Sequence, residues 1–119
     1  MADVVRTFGL ERAMPGKPFY VTTENDQETF KGVVTATGSL TDLTLFAETG
    51  GESVVQDEGG RVYVAAGQIL VYSAEGKLAE KIEVPERPID LVFGGADRRT
   101  LYILTHHSLY AVKAQAPGL

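Results

Sequence analysis

The sequence predicts an all-β fold, and three observations carry that prediction. Thirteen valines, eleven threonines and four isoleucines among 119 residues supply β-branched side chains, which pack well on a pleated surface. The apolar runs are short, and nothing between them sustains a 3.6-residue apolar period over three helical turns. Thirteen glycines, above the usual share of about 7%, punctuate the chain at short intervals, as turns between strands require.

Taken in order, the strand candidates are Phe19–Val21, Val54–Val55, Val62–Val64, Ile69–Tyr72, Leu91–Phe93, Leu101–Leu104 and Leu109–Val112. Each is bounded by Gly, Asp, Asn or Pro, residues that supply turn conformations. Asp57–Gly60, Ala65–Gln68 and Ala74–Gly76 read as hairpin connections. The one departure is a short helical turn expected near Leu10–Met14.

Spacing adds a repeat. Tyr20-Val21, Tyr63-Val64 and Tyr102-Ile103 each sit in a short apolar strand, 43 and then 39 residues apart. A second strand follows each, as Thr29–Ala36, Gln68–Ser73 and Ser108–Lys113. A third follows the first two, as Leu43–Ala47 and Lys77–Val84. A further strand precedes the second and third tyrosines, as Ser53–Asp57 and Ile89–Phe93. Four short antiparallel strands in about 40 residues is the period of a β-propeller blade; the competing reading is a β-sandwich with chance spacing. On the propeller reading the chain is a single partial domain of three blades, at 1–48, 49–85 and 86–113, with a tail at 114–119.

Composition excludes several functions. Sixteen acidic against eleven basic side chains give a net charge of −5, so no nucleic-acid or anionic-membrane partner is expected, since both need a basic surface. Without cysteine there is no disulfide framework, thiolate metal site or thiol nucleophile. No apolar run approaches the roughly 20 residues of a membrane-spanning helix. Met1-Ala2-Asp3 carries an acid where a secretion signal needs a basic segment, so a cytoplasmic location is expected.

Three stretches carry a family resemblance: Asp57–Ala65, Ile69–Lys77 followed by Ile82–Pro85, and above all Arg87–Ile103, with Phe93-Gly94-Gly95, Asp97 and Leu101-Tyr102. They resemble the closing blades of the gluconolactonase/regucalcin family of six-bladed propellers, over roughly residues 18–113. The resemblance implies the C-terminal half of such a propeller. It also implies one divalent metal, Ca2+ or Zn2+, on the propeller axis, polarising a lactone or related ester through Glu, Asn and Asp oxygen ligands. The Glu and Asn ligands belong to blades outside this sequence. The Asp ligand is expected after Phe19–Thr22, where this chain has Thr23. The family's Pro-Asp-Gly before the next strand reads Gly51-Glu52-Ser53. Glu24 and Glu52 are therefore the candidate metal ligands, Thr23 and Ser53 line the candidate pocket, and no catalytic residue is assigned. A catalytically incomplete scaffold is favoured over a divalent-metal-dependent lactone hydrolase with a site formed on assembly.

Other constellations read as structural. Glu24, Asp26 and Glu28 alternate but lack the glycine of a calcium loop. His106 and His107 are adjacent, would face opposite sides in a strand, and read as surface histidines at a loop tip. Ser53 lacks the glycine a nucleophile elbow needs, having Val55 in its place. Gly94–Arg99 enters a strand and so is no phosphate loop. Asp57, Asp90 and Asp97 are expected to bond nearby backbone amides, the five tyrosines to pack blades, and Pro85 and Pro88 to stiffen a crossing between blades. Because three blades cannot close a ring, two copies are expected to associate head to tail, unless the chain is part of a longer enzyme. The last blade's missing strand is expected from Asp3–Phe8 of either copy.

Overall fold

The structure is a computed structural model that describes residues 7–10, 18–23 and 28–119. Among these residues there is no helix, and eleven strands form three antiparallel sheets. The first holds β1 (Thr7–Leu10), β2 (Pro18–Thr23), β3 (Thr29–Val34) and β4 (Leu40–Ala47) in sequential order. The second holds β5 (Ser53–Gln56), β6 (Val62–Ala66), β7 (Gln68–Tyr72) and β8 (Leu78–Ile82). The third holds β9 (Asp90–Gly94), β10 (Thr100–Leu104) and β11 (Leu109–Lys113). Tyr20, Tyr63 and Tyr102 each fall in the second strand of a sheet.

Side-chain alternation decides how the sheets stack. In the middle sheet, Val54, Val62, Val64, Leu70 and Tyr72 pack with Tyr20, Phe46 and Ala47 of the first sheet. Their sequence neighbours Val55, Tyr63, Ala65, Ile69 and Val71 pack with Leu91, Phe93, Leu101, Ile103, Tyr110 and Val112 of the third. Burial on both faces is why these strands read as unbroken apolar runs instead of alternating ones. Edge-to-face aromatic pairs sit in both layers: Tyr20 with Phe46 at 4.9 Å between centroids, and Tyr63 with Phe93 at 5.3 Å.

The third sheet has a free face. Val92, Leu104 and Leu109 are 57%, 44% and 66% exposed, and the register sets Tyr102 opposite both Val92 and Ala111 on that face. Its last strand, β11, is an edge among the described residues.

Several expectations change. Leu10, expected in a helical turn, ends β1; residues 11–14 lie outside the described residues. Thr7 and Phe8, offered as part of a fourth strand for the last blade, instead belong to β1, which pairs with β2 in the first sheet. Asp3–Arg6 lie outside the described residues. Strand β4 begins three residues before the expected Leu43, because Asp42, at φ 55°, forms a bulge where the register with β3 shifts.

The tail at 114–119 is part of the fold. It runs from β11 across the β9–β10 turn to the β5–β6 turn. The amides of Ala114 and Gly118 donate to the carbonyls of Arg99 and Arg98, each at 2.8 Å; Glu58 N donates to Pro117 O at 2.8 Å, and Leu119 N to Gln56 O at 3.1 Å. Gly118 lies so close to Phe93 that a Cβ there would stand 2.2 Å from the Phe93 Cβ, so only glycine fits. Beside this crossing, Asp57 is 1% exposed, and its two carboxylate oxygens accept from Arg61 N and the Tyr63 hydroxyl. Burial first, then the hydrogen bond to Asp57 and its charge, push the Tyr63 phenol well above its ordinary value of 10.0.

Three outcomes follow from this packing, each read by urea unfolding. Leu101 is fully buried, so Leu101→Ala should cost about 2–5 kcal/mol. Leu109→Ser, on the free face, should stay within about 0.5 kcal/mol in the same urea titration. Tyr63 stabilises the fold fully below its ordinary value, and that contribution is lost as pH rises toward its raised native value. Unfolding free energy should therefore fall above about pH 10, with a weaker decline in Tyr63→Phe, measured by urea unfolding across pH 8–11.5.

Candidate functional site

Antiparallel pairing sends the links 48–52 and 83–89 and the β6–β7 and β10–β11 hairpins to one end of the sheets, opposite the tail. At that end lies a cleft of about 300 Å³ lined by Thr49, Gly50, Gly51, Glu52, Ala66, Gly67 and Arg87.

The link carrying Glu52 is pinned from two sides. Thr22 and Thr29, both fully buried, donate their hydroxyls to Gly51 O at 2.8 Å and Thr49 O at 2.7 Å. On the other side Glu52 N donates to Ala65 O at 2.8 Å. The approach is so close that a Cβ on Gly51 would stand 2.0 Å from that carbonyl oxygen. Ser53 then turns inward: its hydroxyl donates to Asp90 Oδ1 at 2.9 Å and accepts from Leu91 N at 3.2 Å, tying β5 to β9.

Arg87 arrives on the crossing between β8 and β9, which is anchored along its length. Val84 N donates to Gln68 Oε1, and Ile89 N to Leu104 O, each at 2.8 Å. Glu86 accepts from the Tyr110 hydroxyl at 3.0 Å and faces His107 Nδ1 at 3.4 Å. Hydrogen bonding from Ser108 first, then from Tyr110, Thr105 and His107, holds the Glu86 carboxyl below its ordinary 4.5. Between two prolines, consecutive residues thus reach in different directions: Glu86 to the third sheet, and Arg87 to Glu52. Arg87 Nη2 lies 3.5 Å from Glu52 Oε1, with the two side chains 65% and 21% exposed. Glu52 Oε2 is buried and has no hydrogen-bond partner among the described residues.

The family profile described as the SMP-30/gluconolactonase/LRE-like region matches residues 14–107. The chain belongs to that family. No curated protein matches it. Among solved structures it is similar to a structural-genomics target described as a gluconolactonase, at TM-score 0.84 and 23% identity over 98% of this chain and 41% of that one. It is similar to a gluconolactonase from Xanthomonas campestris at TM-score 0.80 and 23% identity, over 95% and 39%. It is also similar to a calcium-binding regucalcin from Agrobacterium tumefaciens at TM-score 0.78 and 17% identity, over 97% and 50%. The chain thus spans half or less of the length of these gluconolactonase and regucalcin structures, and at such identities the likeness establishes the fold, a partial β-propeller.

Of the residues singled out from the sequence, Glu52 stands in the cleft. Ser53 is 6% exposed, with its hydroxyl engaged on Asp90 and Leu91. Thr23 is fully buried, and its hydroxyl closes the β2–β3 hairpin by accepting from Glu28 N at 3.2 Å and donating to Glu28 O at 3.3 Å. Glu24 lies outside the described residues. The rings of His106 and His107 are 6.4 Å apart and tilted. Asp57, Asp90 and Asp97 each accept from a nearby amide. Sequence reasoning missed Arg87 as a cleft residue; a charged pair enclosed by Pro85 and Pro88 was the signal available.

A hard cation needs several oxygen donors. Among the described residues no three or more His, Asp or Glu side chains gather, and the single cleft carboxylate faces a guanidinium that competes for the same position. The described residues do not fit a divalent metal.

Gly51→Ala tests how the link is held. Its Cβ would collide with backbone, so the link must move, at a cost of about 1–3 kcal/mol. Amide shifts should concentrate at Ala65 and Glu52 in 15N correlation spectra, with a lowered Tm.

Proposed function

We propose that this chain supplies half of a gluconolactonase/regucalcin-type propeller and is, by itself, a catalytically incomplete scaffold. The observation that carries this reading is the donor set of the cleft: among the described residues it holds one carboxylate, Glu52, already opposed by Arg87. The free face of the third sheet and the β11 edge support closure by further blades, since stacked blades bury such faces against neighbours. A second copy arranged head to tail about a two-fold axis completes six blades, as would the remaining blades of a longer protein.

A second reading is a divalent-metal-dependent lactone hydrolase whose axial site forms only on assembly. The buried, unpartnered Glu52 Oε2 favours it, because such an oxygen is costly unless a partner arrives.

The two are separated by mass and turnover. Sedimentation at micromolar concentration should give a particle of two chains; a monomer that melts cooperatively would sink the dimer. Lactone hydrolysis with Ca2+ or Zn2+ should not exceed the spontaneous rate. Turnover above that rate, abolished in Glu52→Gln, would establish the hydrolase instead.

A further inference from the structure

The cleft has one feature that the incomplete-scaffold reading does not use: the charge beside Glu52 is built in. We propose that Arg87 is the charge-selectivity residue of this cleft, its guanidinium holding the cation's place at Glu52 so that divalent metal ions are excluded. The inference rests on the functional reading only in placing Glu52 at a ligand-binding surface.

Three observations carry it. First, the backbone that carries Arg87 is anchored, although its side chain is 65% exposed. The 83–89 crossing is fixed by the Gln68 and Leu104 contacts at its ends and by Tyr110 and His107 at Glu86. Its backbone therefore has little freedom to carry the guanidinium away. Second, Glu52 is held equally firmly, by Thr22 and Thr29 acting on its link and by its own amide on Ala65. The two backbones are therefore held at a fixed separation, which keeps the guanidinium within reach of the carboxylate. Third, the contact is 3.5 Å and involves only Oε1, while Oε2 is left buried without a partner. The guanidinium thus neutralises the carboxylate without using its whole acceptor capacity. A neutral hydrogen-bond donor satisfies the remaining oxygen at no electrostatic cost, whereas a second cation meets the charge of Arg87.

Removing that charge should raise the weak affinity of the lone carboxylate for cations. In calorimetric titrations with CaCl2 and separately with ZnCl2 at low ionic strength, Arg87→Met and Arg87→Ala should bind about tenfold more tightly than the unaltered chain, equivalent to about 1.4 kcal/mol. Arg87→Lys, which keeps the charge, should stay as weak as the unaltered chain. Arg87→Met keeps an unbranched apolar stem that Arg87→Ala lacks, so a gain shared by Met and Ala reports charge and not stem packing. The gain should disappear in Arg87→Met/Glu52→Gln and shrink as NaCl approaches 1 M, where the Debye length falls to about 3 Å. The inference is overturned if Met and Ala variants with unchanged circular dichroism bind within twofold of the unaltered chain, or if the gain survives Glu52→Gln. The readout is binding to this chain, so the result stands apart from the mass and turnover measurements that decide the scaffold reading.

Discussion

The constraint on which the rest depends is that strands β5 to β7 of the middle sheet are buried on both faces. They have no solvent side for polar residues in their inner positions, so Val54, Val62 and Val64 look one way and Val55, Tyr63 and Ala65 the other, while the outer strand β8 is exposed. A one-residue slip in any of these strands would exchange the two sets and bring Tyr63 where Val62 or Val64 now packs. Register is thereby fixed over the whole sheet, and with it the position of Ala65 O, against which Gly51 and Glu52 are laid. The cleft residue is placed by a hydrogen bond to a strand whose register the core determines.

This also explains which parts of the molecule were legible in the sequence. Two-sided burial writes itself as runs such as Val62–Ala65 and Ile69–Tyr72, and Gly- and Asp-rich turns bound them, so the strands of the middle sheet could be read almost to their ends. Strand β1, Thr7-Phe-Gly-Leu10, was not seen as the opening strand of its sheet because four residues including a glycine carry little strand signal. The bulge at Asp42 was hidden for the opposite reason: a polar residue at positive φ reads as a turn, not as the inside of a strand. Glu52 was legible only through family likeness, since nothing in Gly51-Glu52-Ser53 announces that one carboxylate oxygen is buried without a partner. Thr23 and Ser53 were read as pocket residues because Thr23 stands at the family's Asp position and Ser53 falls in the stretch matching its Pro-Asp-Gly. Burial converts both into structural hydroxyls, a distinction that depends on long-range contacts to which local pattern is blind.

The two ends of the sheets solve the problem of holding neighbouring blades together differently. At the tail end backbone bonds lead: residues 114–119 lay amides and carbonyls on Gln56, Glu58, Arg98 and Arg99, the side chains of Arg98 and Arg99 add bonds to Glu58 and to Gln115 O, and buried Asp57 has both oxygens occupied. At the crossing end the solution is side chains. Glu86 reaches the third sheet and Arg87 the second-sheet link, so one proline-bounded dipeptide joins both blades.

The carboxylates at the two ends differ as well. Asp57 at the tail end has both oxygens satisfied. At the crossing end Glu52 Oε2 is buried without a partner among the described residues, and a buried polar group in that state calls for a further partner. The same dipeptide that staples the blades therefore determines the charge at the open position. Stability and ligand choice are coupled at residues 86 and 87, and a substitution at either acts on both.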